Sequence, residues 1–277
     1  MNVLITGKNR SGKTTLLARL IADVSDKQGF ITSEVRNEVD RIGFDLVDQT
    51  GKTVVLARTH TPTAFPVGRY FVDVAALDRY LGQSGSPTHQ HQLLYLDEIG
   101  QMQLYSEKFK QLVLSYLDAP NFFIGTITNI YKDNFVEQIN NRPDILTCTI
   151  TPENYDEMQQ GLAFALERRD VIASLGESVQ QVLIHMANAY LEADQYVYFK
   201  KLFKNAVPYL AEGRIHPQED GSYLVIGDTN QHHVMPAENG ALTCDCDLFH
   251  GRGQFVGHQG LCSHLQTASL YHLSKNL

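Results

Sequence analysis

Gly7-Lys8-Asn9-Arg10-Ser11-Gly12-Lys13-Thr14 is the stretch whose reading decides the fold. It matches G-x-x-x-x-G-K-[ST] and lies between a strand-like run, Asn2–Thr6, and a helix-like run, Thr14–Val24. Glycines let the backbone curl so that successive N–H groups face phosphate oxygens, and the helix start adds its positive dipole end. Lys13 is expected to bridge the β- and γ-phosphates, and Thr14 to offer Mg²⁺ a hydroxyl ligand. The predicted nucleotide contacts are therefore Gly7, Lys8, Asn9, Arg10, Ser11, Gly12, Lys13, Thr14 and the adjoining Thr15.

Outward from this loop, short β-rich runs alternate with amphipathic helical stretches as far as Arg169, which predicts an α/β P-loop fold with a largely parallel sheet. GFITSEVR, RIGFDLVDQ and KTVVLART have period-two character and predict an antiparallel insertion, with a hairpin turn at Gln49-Thr50-Gly51-Lys52. Asp73 and Ser106 read as N-caps of VAALDRYL and EKFKQLVLSYLDA. LLYLDEIG gives an apolar strand ending in Asp97 and Glu98, and ligands in open α/β sheets bind beyond such strand ends. Asp97 is expected to hold the Mg²⁺ shell, usually through water, and Glu98 to orient or deprotonate the attacking water.

The composition, 43% hydrophobic and 19% charged residues, belongs to a folded protein. No apolar run approaches the roughly 20 residues of a membrane span, and no signal-peptide pattern is present, so no membrane partner and a cytoplasmic location are expected. A net charge of −8 opposes a nonspecific grip on nucleic acid. His89 and His91 read as solvated loop residues rather than metal ligands, and Cys148, in ILTCTI, reads as a small buried hydrophobe.

GKNRSGKTTLL, GFITSEVR followed by RIGFDLV, LART, VGRYFVDV and LDEIGQMQLYSEKF together resemble the thermophile-type nucleoside-triphosphate phosphatases over about the first 168 residues. The resemblance implies a slow, Mg²⁺-using hydrolase acting on ATP and other NTPs, with its nucleotide pocket at Gly7–Thr14 and around Tyr95–Gln101. Where that family usually places an acid after the Met of its Asp-Glu-Ile-Gly stretch, this chain has Gln103, so that carboxylate's role does not carry over. Arg69, in VGRYF, is the candidate cation for the charge developing on the γ-phosphoryl group, with Arg36 and Arg41 as alternatives. An N-K-x-D pattern is absent, which fits loose choice of base.

Three of the four cysteines fall near the C-terminus, and Cys244-x-Cys246 with Cys262-x-His264 predicts a closed Cys₃His zinc site. His250 and His258 are competing ligands. Short strands followed by C-x-C-x(n)-C-x-H are similar to the SWIM zinc finger, over about the last 60 residues. From Cys244 onward Arg252 and Lys275 are the only Lys or Arg, against Asp245 and Asp247, so a protein partner is favoured over nucleic acid. Lys200, Lys201 and Lys204 on the helical stretch read as a solvated face. The domains expected are a P-loop NTPase domain at 1–169, a helical connector at 170–212 and a SWIM-like zinc-finger domain at 213–277. Hydrolysis with a finger that recruits a partner ranks first. A nucleic-acid-dependent ATPase ranks second, for want of a second helicase-like lobe, and a P-loop kinase third, for want of an arginine-rich lid.

Overall fold

Val3, Leu4 and Ile5 are completely buried in β1 (Asn2–Thr6), a strand covered on both faces, which is why NVLIT shows no polar alternation. β1 pairs in parallel with β8 (Phe123–Ile127) on one side and with β9 (Ile145–Thr149) on the other. β7 (Leu93–Ile99) continues the parallel sheet beyond β8, and β2 (Lys27–Arg36) lies beyond β7. The parallel order is thus β2-β7-β8-β1-β9. The computed structural model describes residues 1–83, 87–237, 241–247 and 261–275, and these form two compact units, Met1–Tyr155 and Asp156–Leu277.

β2 outruns its parallel partner. Lys27–Phe30 pair with Leu93–Leu96, while Phe30–Arg36 pair antiparallel with β3 (Arg41–Asp48). β4 (Thr53–Arg58), β6 (Tyr70–Val72) and β5 (Pro66–Val67) extend this antiparallel part, the last two as a short hairpin that periodicity did not reveal. The expected turn forms because Asp48 Oδ1 accepts from the N–H groups of Thr50 (2.8 Å) and Lys52 (3.1 Å), with Gly51 at φ 82°.

In the first unit α1 (Lys13–Ile21) stops before Val24, where Lys27 Nζ donates to the Ile21 carbonyl at 2.7 Å and satisfies a helix-end acceptor. α2 (Val74–Leu81) and α3 (Glu107–Leu117) begin at the predicted caps, Asp73 accepting from Ala76 N and Ser106 from Phe109 N. With α4 (Asn134–Asn140) they cover one core built around Phe30, Leu46, Leu77, Phe109, Val113 and Tyr116. Replacing such a buried ring by alanine typically costs about 3–5 kcal/mol. His89 is exposed in its loop and meets the Asp26 carboxylate there at 2.8 Å.

The second unit comprises α5 (Tyr155–Glu167, from Asp156 on), α6 (Arg169–Ser174), α7 (Glu177–Glu192), α8 (Tyr196–Lys201), a π-helical turn (Leu202–Ala206) and α9 (Val207–Ala211). A small antiparallel sheet follows, β10 (Ile215–Pro217), β11 (Tyr223–Ile226), β12 (Gln231–Pro236) and β13 (Leu242–Cys244), and then α10 (Ser263–Lys275). α10 packs on α7, the π-helical turn and β11, so the helical stretch and the cysteine-bearing tail share one packed unit. The lysine cluster is not simply solvated. Lys200 pairs with Glu157 and bonds Gln160, and Lys204 Nζ lies 5.4 Å from the centre of the Phe164 ring. Among the described residues no helix is long and apolar enough to cross a membrane.

Candidate functional site

The loop after β1 closes tightly. Gly12 caps α1 at φ 95°, and a Cβ there would come within 2.9 Å of the Tyr155 ring. A Cβ on Gly7, at φ 148°, would come within 2.6 Å of the Ile150 carbonyl oxygen, so both positions require glycine. Lys13 is buried and its Nζ donates to the carbonyls of Gly7 (3.1 Å) and Lys8 (3.4 Å), which holds the ammonium over the loop. Ser11 Oγ is buried without a hydrogen-bond partner, the kind of orphan that a phosphate oxygen satisfies. Lys8, Asn9, Arg10, Thr14 and Thr15 are exposed around it.

The structure brings Thr14 and Asp97 together across 83 residues of sequence. Thr14 Oγ1 lies 3.0 Å from both carboxylate oxygens of Asp97. Asp97 is 1% exposed and further held by Thr126 Oγ1, which donates to Oδ1 at 2.5 Å, and by the Thr32 N–H, 3.3 Å from Oδ2. The Thr32 hydroxyl donates to the Asp97 carbonyl and accepts from Gln103 Nε2 at 3.1 Å. Gln103 therefore does have a place in this chain: it buttresses the strand end through Thr32. Burial pushes the Asp97 carboxyl up, opposed by bonds from Thr126, Thr14 and Thr32 and by the Lys13 charge. Burial also raises Glu98, which Lys13 lowers and Asp97 raises. Hydroxyl and carboxylate oxygens are hard donors, so the Thr14–Asp97 pair fits Mg²⁺.

Thr32 and Thr126 were not anticipated from sequence. Thr126 had one legible signal, a hydroxyl inside the otherwise apolar strand FIGTI. Thr32 had none, because its partners lie 65 and 71 residues away.

The three candidate arginines gather in one cluster at the hairpin tips. Arg36 and Arg41 pair with Glu34 at 2.7 and 2.5 Å, and Arg41 also donates to Tyr70 Oη at 2.8 Å. Arg69 donates to the Arg41 carbonyl at 2.7 Å and lies 3.8 Å from Asp40, its side chain 55% exposed. These bonds run within the cluster rather than to the loop residues or the two acids.

In the second unit the ligand atoms of Cys244, Cys246, Cys262 and His264 all lie within 4.8 Å of one another. The three thiols are buried, and His264 Nδ1 is the ring nitrogen turned toward them, 3.9 Å from Cys244 Sγ. The His232 ring stacks on His264 at 4.1 Å while its Nδ1 meets Asp245 at 3.2 Å. A hydrogen bond from Cys244, with others from His264 and the Leu265 N–H, draws the Cys262 thiol down to about 4; the same contact and burial push Cys244 up. Three sulfurs and one imidazole at this spacing suit a tetrahedral ion with metal–sulfur bonds of about 2.3 Å. His250 and His258 lie outside the described residues.

The model of a family described as NTPase matches residues 2–163. The chain is 36% identical over 159 residues to the nucleoside-triphosphatase THEP1 of Thermotoga maritima, across 57% of this chain and 91% of that protein. It is 31% identical over 176 residues to the cancer-related nucleoside-triphosphatase homolog of Mus musculus, across 57% of this chain and 92% of the relative. The crystal structure of THEP1 from Aquifex aeolicus superposes with a TM-score of 0.55 at 30% identity, covering 61% of this chain and all of that one.

Proposed function

Because this chain belongs to the NTPase family, we propose that it hydrolyses ATP and at least one other NTP to the diphosphate and phosphate in a Mg²⁺-dependent reaction centred on Lys13, Thr14, Asp97 and Glu98. The chain is a nucleoside triphosphatase. The observation that carries the finer reading is the Thr14–Asp97 contact beside the buried Lys13 ammonium. Phosphate release from ATP, GTP, CTP and UTP, with Mg²⁺ and with chelator, tests it. Hydrolysis unchanged by chelation would overturn the metal dependence.

Thr14 and Asp97 would hold Mg²⁺, Asp97 through water, and the ion would neutralise charge on the β- and γ-oxygens. Lys13 then lies against the same phosphates. Glu98, half-buried and within reach of the Lys13 charge, accepts the proton of the attacking water. Glu98→Gln keeps the shape and loses the base, so it is expected to bind nucleotide within about threefold of wild type while kcat falls about a hundredfold. Asp97→Ala should weaken Mg²⁺-nucleotide binding instead. Titration and single-turnover rates that failed to separate the two variants would refute this division of labour.

Arg69 is the arginine proposed to meet γ-phosphoryl charge, since its ionic contact is the longest in a cluster where Glu34 holds Arg36 and Arg41 closely. Arg69→Ala is expected to lower kcat at saturating ATP about tenfold or more with little change in binding. An unaltered kcat would remove Arg69 from the mechanism.

For the tail the proposal is a structural Zn²⁺ on Cys244, Cys246, Cys262 and His264, in a finger similar to the SWIM type that contacts a protein partner. The modules proposed are 1–169, 170–212 and 213–277, in a cytoplasmic protein. A nucleic-acid-dependent ATPase is the second reading, favoured if RNA or DNA accelerates phosphate release.

A further inference from the structure

The sheet order sets the direction in which a bound nucleotide runs. Asp97 and Glu98 lie near the C-terminal end of β7, and β8, β1 and β9 follow in that order across the sheet. A triphosphate lying along the loop after β1, with its γ end toward the two acids, turns its nucleoside toward β9. The segment leading out of β9 is Ile150-Thr151-Pro152-Glu153-Asn154-Tyr155. It approaches the phosphate loop at two points, the Ile150 carbonyl beside Gly7 and the Tyr155 ring beside Gly12.

The polar side chains of Thr151, Glu153 and Asn154 are engaged with one another or with the backbone. Asn154 Oδ1 accepts from Thr151 N at 2.8 Å, and its Nδ2 donates to the Thr149 carbonyl at 3.0 Å. The Thr151 hydroxyl bonds the exposed Glu153 carboxylate and holds it below the usual range. Tyr155 differs. Its ring is half-buried, the Arg19 guanidinium lies 6.0 Å from the ring centre, and its hydroxyl is buried without a hydrogen-bond partner. What Tyr155 offers is therefore an aromatic surface, with the hydroxyl turned away from solvent.

We propose that Tyr155 is the stacking platform for the nucleobase, and that recognition through a ring face rather than through hydrogen bonds makes the enzyme tolerant of all four bases. Every base has a π-face, so stacking carries little sequence preference. This inference rests on the triphosphatase reading of the loop. It also accounts for loose base choice by a residue at a known place, where the missing N-K-x-D pattern was only an absence.

The test compares KM and kcat for ATP, GTP, CTP and UTP, and the inhibition constant of inorganic triphosphate against ATP, in wild type, Tyr155→Ala, Tyr155→Leu and Tyr155→Phe. Tyr155→Ala and Tyr155→Leu are expected to raise KM for all four NTPs by about ten- to a hundredfold, with kcat changed far less. The inhibition constant of inorganic triphosphate, which has no base, should stay at the wild-type value. Tyr155→Phe keeps the ring and should restore KM. Wild-type KM in Tyr155→Ala and Tyr155→Leu would overturn the platform. So would equal weakening of NTPs and inorganic triphosphate, which would mean that the ring merely supports Gly12. Tyr155→Leu covers the case in which the alanine variant does not fold, because leucine keeps volume at the Gly12 contact without a π-face. Should wild type and Lys13→Ala release phosphate equally, the underlying site assignment fails, a result distinct from failure of the platform alone.

Discussion

Lys13→Ala is expected to reduce kcat/KM for every NTP by about three to five powers of ten, the range associated with removing a cation from a transferring phosphoryl group. Lys13 is 9% exposed, and its ammonium rests on the carbonyls of Gly7 and Lys8, inside the loop proposed to hold phosphate. Those carbonyls orient the amine before substrate arrives, so little of its charge stabilisation is lost to reorganisation. Alanine removes the charge and leaves two carbonyls facing the site without their donor. Lys13→Arg tests whether charge alone suffices, since a planar guanidinium cannot replace a compact ammonium in a loop this tight. Purified Lys13→Ala releasing phosphate at the wild-type rate, with a wild-type circular dichroism spectrum, would place the reaction elsewhere on the protein.

What sequence made visible here is local, and what it hid is long-range. GKNRSGKT, the caps at Asp73 and Ser106 and the strand LLYLDEI each depend on residues within a few positions of one another, and each was legible. The surroundings of Asp97 depend on Thr14, Thr32 and Thr126, which arrive from three other elements, and nothing in their own neighbourhoods announces the meeting. Strand order was hidden for the same reason: apolar runs say that strands are buried, not that β8 separates β1 from β7. The β5–β6 hairpin escaped because strands of two and three residues are too short for periodicity to register.

Zinc removal, or Cys262→Ser, is expected to unfold the metal-bearing tail and to lower the cooperativity of the whole second unit, while basal NTP hydrolysis continues. The small sheet has four short strands and little apolar area of its own. Its core is Ile215, Tyr223, Val225 and Val234 with Tyr209, Leu265, Ala268 and three cysteines. Those three cysteines are buried members of this core, so without a metal the tail would bury thiols in place of ligands. Structural zinc contributes about 10–16 kcal/mol of apparent binding free energy in small fingers at neutral pH. Because α10 begins at Ser263, directly after Cys262, and packs on α7 and the π-helical turn, loosening of the ligands should spread into the helices rather than stop at Gly213. An ion held by the Cys₃His set would have four protein ligands and no place for a reacting water, which is why hydrolysis should persist. Metal analysis with hydrogen exchange across residues 156–277 reads this directly. About one equivalent of zinc, with protection of β11, β12 and α10 lost on chelation, is the expected result. Less than about half an equivalent in protein purified without chelator would refute the site, and phosphate release that stopped with zinc loss would make the finger a regulator of the triphosphatase.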